Sequence, residues 1–296
     1  VDITDAKATL GRVLFYDRNL SIDRSISCGS CHQQKSGFSD NERLSPGAGM
    51  RQAKRNSLAL TNLLTKRSYF WDGRTDSLRQ AVLMPIVNPD EMGMPSIQEV
   101  VNRLDTISYY KGLFYQAFKS NHITEARIAE ALTCFVAAIP NMMSKKDKIY
   151  YGWVKPTEEE NRGFRAFIRF RCSNCHYGYN VTGSGFNKAN IGDFSNSGDM
   201  GSDGDFFVPS LRNVEITAPY MHDGSVKTLA DVLDFYRSDD LHLSSSDKRM
   251  KSIIATIQWK DYKDMTDQEA EDIIAYLKTM TEERLLTDER FSDPFY

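Results

Sequence analysis

The 296-residue sequence lacks long hydrophobic runs and lacks any excess of positive charge. Its longest apolar runs, such as Cys134–Ile139, are far shorter than the roughly 20 residues that a membrane-spanning helix requires. The formal net charge is −3, so the chain offers no basic surplus to nucleic acid or anionic lipid. We therefore expect neither a membrane span nor a nucleic-acid partner.

The sequence also has little β pattern and no leader-like opening. Segments of alternating polar and apolar residues are short or absent. The opening stretch VDITDAKATLGRVLFYD has neither the basic nor the apolar region of a signal peptide, so we expect any such peptide to have been removed. With 41% hydrophobic and 26% charged residues, the composition is that of a globular protein large enough for two domains.

Cysteine is scarce, and its five copies are unevenly placed. Four lie in two CxxCH motifs, SCGSCHQQ (27–34) and RCSNCHYG (171–178). The fifth, Cys134, lies alone in the apolar stretch AEALTCFVAAIP, where we expect a buried core residue rather than a reactive thiol. A chain of this composition carries a CxxCH motif by chance about once in a thousand, so two copies indicate function.

The CxxCH spacing is typical of covalent haem attachment. Two thiols one helical turn apart reach the two vinyl groups of a haem, and the next histidine becomes the proximal iron ligand. A zinc ribbon fits less well because its halves lie about 15–20 residues apart, a much shorter spacing than the one here. A thioredoxin-like pair fits less well because no βαβ pattern surrounds it. The expected haem-binding residues are Cys28, Cys31, His32, Cys172, Cys175 and His176.

The strong periodic segments are helical, so we predict a mostly α fold. Thr4–Asp17 and Thr124–Ile139 carry apolar residues at helical spacing. TEEE at 157–160 and TDQE at 266–269 are capping boxes that open helices. The Gly-, Ser-, Asn- and Asp-rich stretch 183–204 predicts a loop.

The run MSKKDKIYYGWVKPTEEE (143–160) is typical of a hinge, which divides the chain into residues 1–150 and 151–296. A weak internal repeat supports this division, because LTNLLTKRSYFWDGRTDSL (60–78) aligns with LRNVEITAPYMHDGSVKTL (211–229). The matching pairs are Leu60/Leu211, Asn62/Asn213, Tyr69/Tyr220, Asp72/Asp223, Gly73/Gly224 and Leu78/Leu229. We interpret the repeat as a duplicated cytochrome c module with an Asp-Gly turn near each haem; two coincident turns are the alternative.

Five motifs, in this order, resemble those of the bacterial dihaem cytochrome c peroxidases and their relative MauG. They are the first CxxCH, FWDGR (70–74), NPDEMG (88–93), the second CxxCH and LRNVEITAPYMHDGS (211–225). The likeness extends over nearly the whole chain. It implies two cytochrome c-like domains, each with one covalently bound c-type haem, that face each other across a calcium-bearing interface.

The resemblance implies that the haem on the first motif is the peroxide site and that the second haem supplies electrons. The carboxylate that moves a proton between the peroxide oxygens would be Glu91, in DEMG. Trp71, in FWDGR, would lie between the haems as a path for electrons. The alternatives are a solvated surface glutamate and a core aromatic residue.

The family also holds Ca²⁺ between the haems, in a shell of oxygen atoms and waters that suits this ion. The matching positions are the Asn56 side chain and the carbonyls of Thr217 and Pro219. The expected partners are hydrogen peroxide and a small redox protein (a cytochrome c or a cupredoxin) as electron donor, or else a protein substrate. Covalent haem implies export, so we expect a periplasmic protein, and a homodimer is compatible with the resemblance.

The chain departs from the family pattern at the position of a distal histidine. Peroxidases whose first iron is six-coordinate at rest carry a histidine seven residues before the Arg of RNS, and here Ala48 precedes Arg55 at that spacing. Met50 is near but out of register. We therefore expect a first iron that is five-coordinate or water-bound at rest and needs no reductive activation.

A second departure concerns the distal ligand of the second haem. Ordinary members carry methionine a few residues into the helix after the last motif, whereas TLADVLDFYRSDD places Tyr236 there, which is similar to MauG. A phenolate ligand stabilises ferric iron. The alternative is that Tyr236 only packs and that Met200, Met221 or Met250 reaches the iron.

A third departure is Ala81, which stands where many members have a glutamine. Gln80 is adjacent, and we expect it to point elsewhere on its helix. His222 matches the FWDGR tryptophan in the repeat, so we expect it to line the second haem. His122 and His242 lie in polar surroundings typical of the surface.

The favoured function is a dihaem peroxidase that reduces H₂O₂ to water at the first haem with electrons relayed from the second. The alternative is a MauG-like oxidase that uses peroxide equivalents to modify a partner protein by long-range electron transfer, and Ala48 and Tyr236 favour it. A third possibility is a non-catalytic dihaem electron carrier. Both irons would then have all their coordination positions filled, and Glu91 would have no role in a reaction.

Overall fold

The computed structural model describes residues 2–182, 188–189, 205–238 and 260–295. These residues form a mostly α fold, and the two strands among them, β1 (Lys188–Ala189) and β2 (Phe206–Phe207), pair antiparallel with Lys188 opposite Phe207. The helices are α1 (Asp5–Tyr16), α2 (Cys28–Cys31), α3 (Leu78–Ala81), α4 (Met84–Val87), α5 (Ile97–Asp105), α6 (Ser108–Phe118), α7 (Glu125–Ala137), α8 (Lys145–Tyr150), α9 (Glu158–Arg169), α10 (Cys172–Cys175), α11 (Leu229–Arg237), α12 (Lys260–Lys263) and α13 (Asp267–Lys278). Short 3₁₀ turns span Arg18–Leu20, Gln34–Ser36, Ala48–Met50, Leu63–Thr65, Val214–Ile216, Glu283–Leu286 and Glu289–Phe291.

The helices predicted from apolar periodicity are confirmed. Helix α1 begins after Thr4 and α7 begins after Thr124, and each threonine hydroxyl accepts a hydrogen bond from a backbone N–H of the first turn. Both predicted capping boxes, TEEE and TDQE, form at the starts of α9 and α13. Across the described residues, no helix combines the length and hydropathy that crossing a membrane requires.

The segment predicted as a hinge contains helix α8, which the sequence analysis missed. Ser144 and Asp147 form a capping box at its start, in which the Ser144 N–H donates to the Asp147 carboxylate at 3.0 Å. The same carboxylate accepts two hydrogen bonds of 2.7 and 2.8 Å from the buried guanidinium of Arg212. This ion pair anchors α8 to the second half of the chain.

The first core forms where α1 packs against α7. At Gly11 the two backbones approach so closely that a Cβ atom would lie 2.0 Å from the carbonyl oxygen of Ala131. Cys134, in α7, is fully buried, as predicted. The C-terminal segment also contributes, because Leu285 and Phe291 belong to the same cluster of buried residues.

The second core repeats this arrangement, with α9 packed against α13. A Cβ atom at Gly163 would lie 1.8 Å from the carbonyl oxygen of Asp272. The buried cluster includes Phe167, Phe170, Val214, Leu233, Ile273, Leu277 and Met280. The two halves therefore use the same close helix crossing to build separate cores.

The internal repeat has the same backbone structure in both copies. An isolated bridge closes each turn, between Tyr69 and Thr75 and between Tyr220 and Val226. Each tyrosine hydroxyl donates to the carbonyl six residues upstream, at 3.3 and 2.9 Å respectively. The glycine of each Asp-Gly turn has a positive φ, 66° in the first copy and 63° in the second. The repeat thus gives each half an equivalent turn beside its CxxCH motif.

Candidate functional site

The first CxxCH motif forms one helical turn, α2, that borders a cavity, here called the first cavity. The Nδ1 atom of His32 lies 3.0 Å from the carbonyl oxygen of Phe38. As the donor to that carbonyl, Nδ1 carries the ring proton, which leaves Nε2 available to an iron. Burial lowers the pKa of His32, so the ring is neutral, as a metal ligand must be.

The second CxxCH motif is built in the same way. Helix α10 borders a second cavity, and the Nδ1 atom of His176 lies 3.2 Å from the carbonyl oxygen of Val181. Burial lowers the pKa of His176 to about 4. Both histidines therefore have the backbone partner that orients a proximal ligand.

The four motif thiols do not have the properties of zinc ligands or redox thiols. Burial raises the pKa of Cys28, Cys31 and Cys172 to about 12 and that of Cys175 to about 11. Thiolates that bind zinc or exchange disulfides have lowered pKa values. Within the described residues, no group of three or more His, Cys, Asp or Glu side chains is arranged to hold a metal. Each thiol pair instead borders a largely apolar cavity, which fits a covalently bound haem.

The first cavity brings Glu91 and Trp71 together with the first CxxCH motif. Glu91 lies in the loop between α4 and α5, and its carbonyl accepts a hydrogen bond of 2.8 Å from the N–H of Ala48. Burial raises the pKa of Glu91, and the positive charge of Arg74 opposes that rise. A glutamate with a raised pKa is suited to carrying a proton in a reaction near neutral pH.

Two side chains near the predicted distal position face away from the first cavity. Met50 is fully exposed to solvent, so its thioether does not face the cavity. Gln80 is held by Thr75, whose hydroxyl donates to the Gln80 Oε1 atom at 2.9 Å. Ala81, by contrast, lines the cavity, so Gln80 does point elsewhere on the helix as expected.

Two buried or half-buried methionines, Met84 and Met92, also line the first cavity. Neither residue was predicted from the sequence. Met92 follows Glu91 in the DEMG motif, and its N–H donates to the carbonyl of Pro85 at 3.1 Å. The position of Met92 within a recognised motif was the only sequence signal for either residue.

A common wall separates the two cavities. The residues that line both cavities are Asn56, Ser57, Leu58, Ala59, Trp71, Phe207, Val208, Pro209 and His222. The indole Nε1–H of Trp71 donates to the carbonyl oxygen of Asn56 at 2.8 Å. Trp71 is therefore fixed in the wall between the two CxxCH motifs, and His222 lines the first cavity as well as the second.

Phe206 packs into this wall, and the sequence analysis missed it. Its ring stacks on His222 with centroids 4.1 Å apart and meets the Trp71 ring edge-on at 6.4 Å. The next residue, Phe207, donates its N–H to the Trp71 carbonyl at 2.7 Å. These contacts join positions far apart in the sequence, so no local pattern marks them.

Tyr236 lies in α11 and lines the second cavity together with His176. Burial raises the pKa of Tyr236, and the nearby thiols of Cys175 and Cys172 add to the rise. A second phenol, that of Tyr262, lies beside it with ring centroids 5.7 Å apart. Tyr262 also lines the second cavity and was not predicted from the sequence.

Met221 lines the second cavity too, so a thioether is present there as well as a phenol. The other two methionines considered as distal ligands, Met200 and Met250, lie outside the described residues, as do His242 and the predicted loop 183–204 apart from residues 188–189. His122 is exposed, as expected.

The three residues predicted to bind calcium, Asn56, Thr217 and Pro219, line the second cavity together. The amide nitrogen of Asn56 donates to the carbonyls of residues 42 and 43 at 2.9 and 3.3 Å. The two carbonyls that flank Thr217 accept hydrogen bonds of 2.8 Å each from the Asn41 side chain. These hydrogen bonds between described residues do not involve the Asn56 side-chain oxygen or the carbonyl oxygens of Thr217 and Pro219, which are the atoms predicted to bind calcium.

Comparison with known proteins gives concordant results. The family model described as di-haem cytochrome c peroxidase matches residues 5–155, and that described as cytochrome c matches residues 161–281. The chain is 32% identical to the methylamine utilization protein MauG of Methylorubrum extorquens, over 95% of this chain and 80% of that protein. It is 31% identical to the cytochrome c551 peroxidase of Nitrosomonas europaea, over 85% and 78% respectively. A solved MauG-like protein associated with microbial copper homeostasis has a TM-score of 0.84 at 29% identity, over 99% of this chain and 94% of that one.

Proposed function

Because the chain belongs to the family of di-haem cytochrome c peroxidases and MauG proteins, we propose that it reduces hydrogen peroxide to water beside the first CxxCH motif. Each turnover consumes one H₂O₂, two electrons and two protons and yields two molecules of water. The observation that carries the proposal is that Glu91 and the first CxxCH motif line one cavity, whose wall contains Trp71.

The chain holds its two c-type haems through residues of matched geometry. The two cysteines of α2 and the two of α10 would form the thioether bonds, and His32 and His176 would be the proximal iron ligands. Each haem, when bound, supplies an iron that gives and accepts single electrons. The bonds from Nδ1 of each histidine to a backbone carbonyl orient the ring and increase the basicity of Nε2.

Glu91 carries the proton in the peroxide reaction. Its carboxylate accepts a proton from one peroxide oxygen and returns it to the other, which leaves as water. The partly buried position that raises its pKa keeps the carboxyl group away from bulk water. Arg74 lines the same cavity, and its positive charge stabilises the ionised form of Glu91 that accepts the proton.

Electrons pass from the second cavity to the first through Trp71. The Trp71 ring lines both cavities, and its hydrogen bond to the Asn56 carbonyl fixes the plane of the indole. Phe206 meets that ring edge-on and stacks on His222. These two residues are positioning residues that keep Trp71 in the wall.

The first site is open at rest. Ala48 supplies no ligand atom, and the exposed Met50 does not face the cavity. Peroxide therefore reaches the first cavity in the fully oxidised protein, without prior reduction.

Calcium would be held between the two haems by the side-chain oxygen of Asn56 and the carbonyls of Thr217 and Pro219. The shared cavity lining of these three residues supports the site. Oxygen ligands with additional water are the usual environment of Ca²⁺ in proteins.

The electron donor is a small redox protein, a cytochrome c or a cupredoxin, and the compartment is the periplasm. Covalent haem attachment supports export.

A MauG-like oxidase is the second candidate, and the position of Tyr236 favours it. Tyr236 lines the second cavity in the place that resembles the tyrosine ligand of MauG. In this function both electrons are withdrawn from a side chain of a partner protein rather than from a redox donor. Continued turnover of peroxide then requires that partner, whereas a first, single reaction with peroxide does not.

Steady-state turnover of the haem-loaded protein with H₂O₂ and reduced cytochrome c tests the proposal. We expect Glu91→Gln to lower kcat by about 10²–10⁴-fold, because general acid–base catalysis contributes about that factor. The matched control is Glu99→Gln, which removes an exposed carboxylate from α5 and leaves kcat unchanged.

Equal activity of the two variants would rule out Glu91 as the proton carrier. No turnover of the wild type with any cytochrome or cupredoxin donor, but rapid reaction with peroxide, would favour the MauG-like oxidase. No reaction with peroxide at all would indicate the electron carrier.

A further inference from the structure

The first cavity is lined by four cationic side chains, those of Lys54, Arg55, Lys66 and Arg74. Three of them have a carboxylate partner. Asp72 pairs with both arginines, at 2.6 and 3.2 Å, and Asp90 pairs with Lys54 at 3.0 Å. Lys66 is the exception. No carboxylate of the described residues forms an ion pair with it, and none raises its pKa.

Lys66 is placed in the cavity by the backbone that precedes it. It follows the 3₁₀ turn Leu63–Thr65, and its N–H donates to the carbonyl of Leu63 at 3.1 Å. Burial lowers the pKa of Lys66 to about 8, and no other group contributes to this shift. Lys66 is half-buried, and an ammonium group in a largely apolar cavity is more stable beside an anion.

Lys66 enters the first cavity from a different part of the chain than the other groups of the site. It follows the turn Leu63–Thr65, whereas the two thiols come from α2 and Glu91 comes from the loop between α4 and α5. It is the cation of this cavity that has no carboxylate partner among the described residues.

We propose that Lys66 binds a propionate carboxylate of the haem attached to the first motif. A c-type haem carries its two propionates on the edge opposite the thioether bonds, and they are the anions that enter this cavity with it. The proposal rests on the first haem of the proposed function but not on its reaction with peroxide. It makes Lys66 a positioning residue that fixes the haem edge and sets the potential of its iron.

The internal repeat supports this assignment. Lys66 is equivalent to Thr217, whose carbonyl is one of the oxygens proposed to bind calcium between the haems. At equivalent positions, the proposed calcium site would use a backbone oxygen to hold a cation, whereas the first half carries an ammonium group of its own.

Midpoint potentials of the haem-loaded protein, measured by spectroelectrochemical titration without peroxide, test the proposal. We expect Lys66→Met to shift the first haem to a more negative potential, because loss of a nearby positive charge favours ferric iron. Lys66→Gln is a second neutral variant and should shift the potential in the same direction. Lys66→Arg keeps the positive charge and should retain the wild-type potential. The matched control is Arg67→Met, which removes the same charge from the exposed neighbouring position.

The second haem is an internal reference. Lys66 does not line the second cavity, so the potential of the second haem should shift less than that of the first. The proposal is overturned if Lys66→Met shifts the first haem no more than Arg67→Met does. It is equally overturned if Lys66→Arg shifts the potential as far as Lys66→Met, since the ammonium charge is then not the cause. Peroxidase activity does not enter this readout, so failure here is distinct from failure of the proposed function.

Discussion

Trp71 and Asn56 are joined by a hydrogen bond of 2.8 Å from the indole Nε1–H to the backbone carbonyl, and both residues line both cavities. The backbone N–H of Asn56 in turn donates to the carbonyl of His222 at 2.7 Å. The wall between the two CxxCH motifs is thus built from both halves of the chain. An electron path through Trp71 depends on this wall.

Replacement of Trp71 by phenylalanine is expected to slow electron transfer between the haems. The variant loses the hydrogen bond to Asn56, which costs about 1 kcal/mol of stability, and it loses the larger indole ring. Stopped-flow mixing of the half-reduced protein with H₂O₂ measures how fast the second haem is oxidised. Trp153→Phe is the control, because Trp153 is 63% exposed. Equal rates in the two variants would contradict a path through Trp71.

Removal of calcium is expected to lower the melting temperature. A ligand that binds only the folded state at about 100 times its Kd contributes about 2.7 kcal/mol of stability. Thermal unfolding with EGTA should therefore occur at a lower temperature, and added Ca²⁺ but not Mg²⁺ should reverse the change. Asn56→Ala should abolish this dependence on calcium. A wild-type protein whose melting is indifferent to EGTA would eliminate the site.

Substitution of Gly11 by alanine is expected to destabilise the first core. The new Cβ would lie 2.0 Å from the Ala131 carbonyl oxygen, so α1 and α7 must separate, at a cost of about 1–3 kcal/mol. Gly112→Ala is the control, because nothing lies within 4 Å of a Cβ in that exposed position of α6. This change should stabilise the protein by up to about 1 kcal/mol. Urea unfolding measures both, and a neutral Gly11→Ala would show that the helices do not cross this closely.

The buried ion pair between Arg212 and Asp147 is expected to make stability depend on acid pH. Burial alone would raise the pKa of Asp147, but hydrogen bonds from Arg212 and Ser144 outweigh it, so the pKa is lowered. A carboxyl with a folded pKa below its unfolded value of about 4 stabilises the fold above that pH. This contribution is lost as the pH falls below about 4 and through the folded pKa.

Arg212→Met should therefore cost about 3–5 kcal/mol near neutral pH, because it leaves a buried carboxylate unpaired. Arg290→Met, which breaks the largely exposed pair with Asp288, should cost less than about 1 kcal/mol. Urea unfolding at several pH values between 3 and 7 measures both. Similar costs for the two variants would show that the Arg212 pair is not buried in solution.

Local signals in the sequence predicted the features that depend on neighbouring residues. The CxxCH spacing predicted two helical turns followed by histidine, and the capping boxes predicted where α9 and α13 begin. The family resemblance predicted that Glu91 and Trp71 would share the first cavity with His32. Contacts between distant residues were not predicted, because periodicity and spacing contain no information about them. Phe206 beside Trp71, Tyr262 beside Tyr236 and Asp147 beneath Arg212 are of this kind.

The central claim is a peroxide site that is open in the oxidised protein, and low-temperature EPR of the fully ferric protein tests it most directly. We expect a high-spin signal from the first haem beside a low-spin signal from the second, because Ala48 provides no ligand and Met50 faces solvent. Two low-spin signals would contradict the account. They would mean that a side chain of the first cavity, such as Met84 or Met92, coordinates the first iron at rest and blocks its peroxide position.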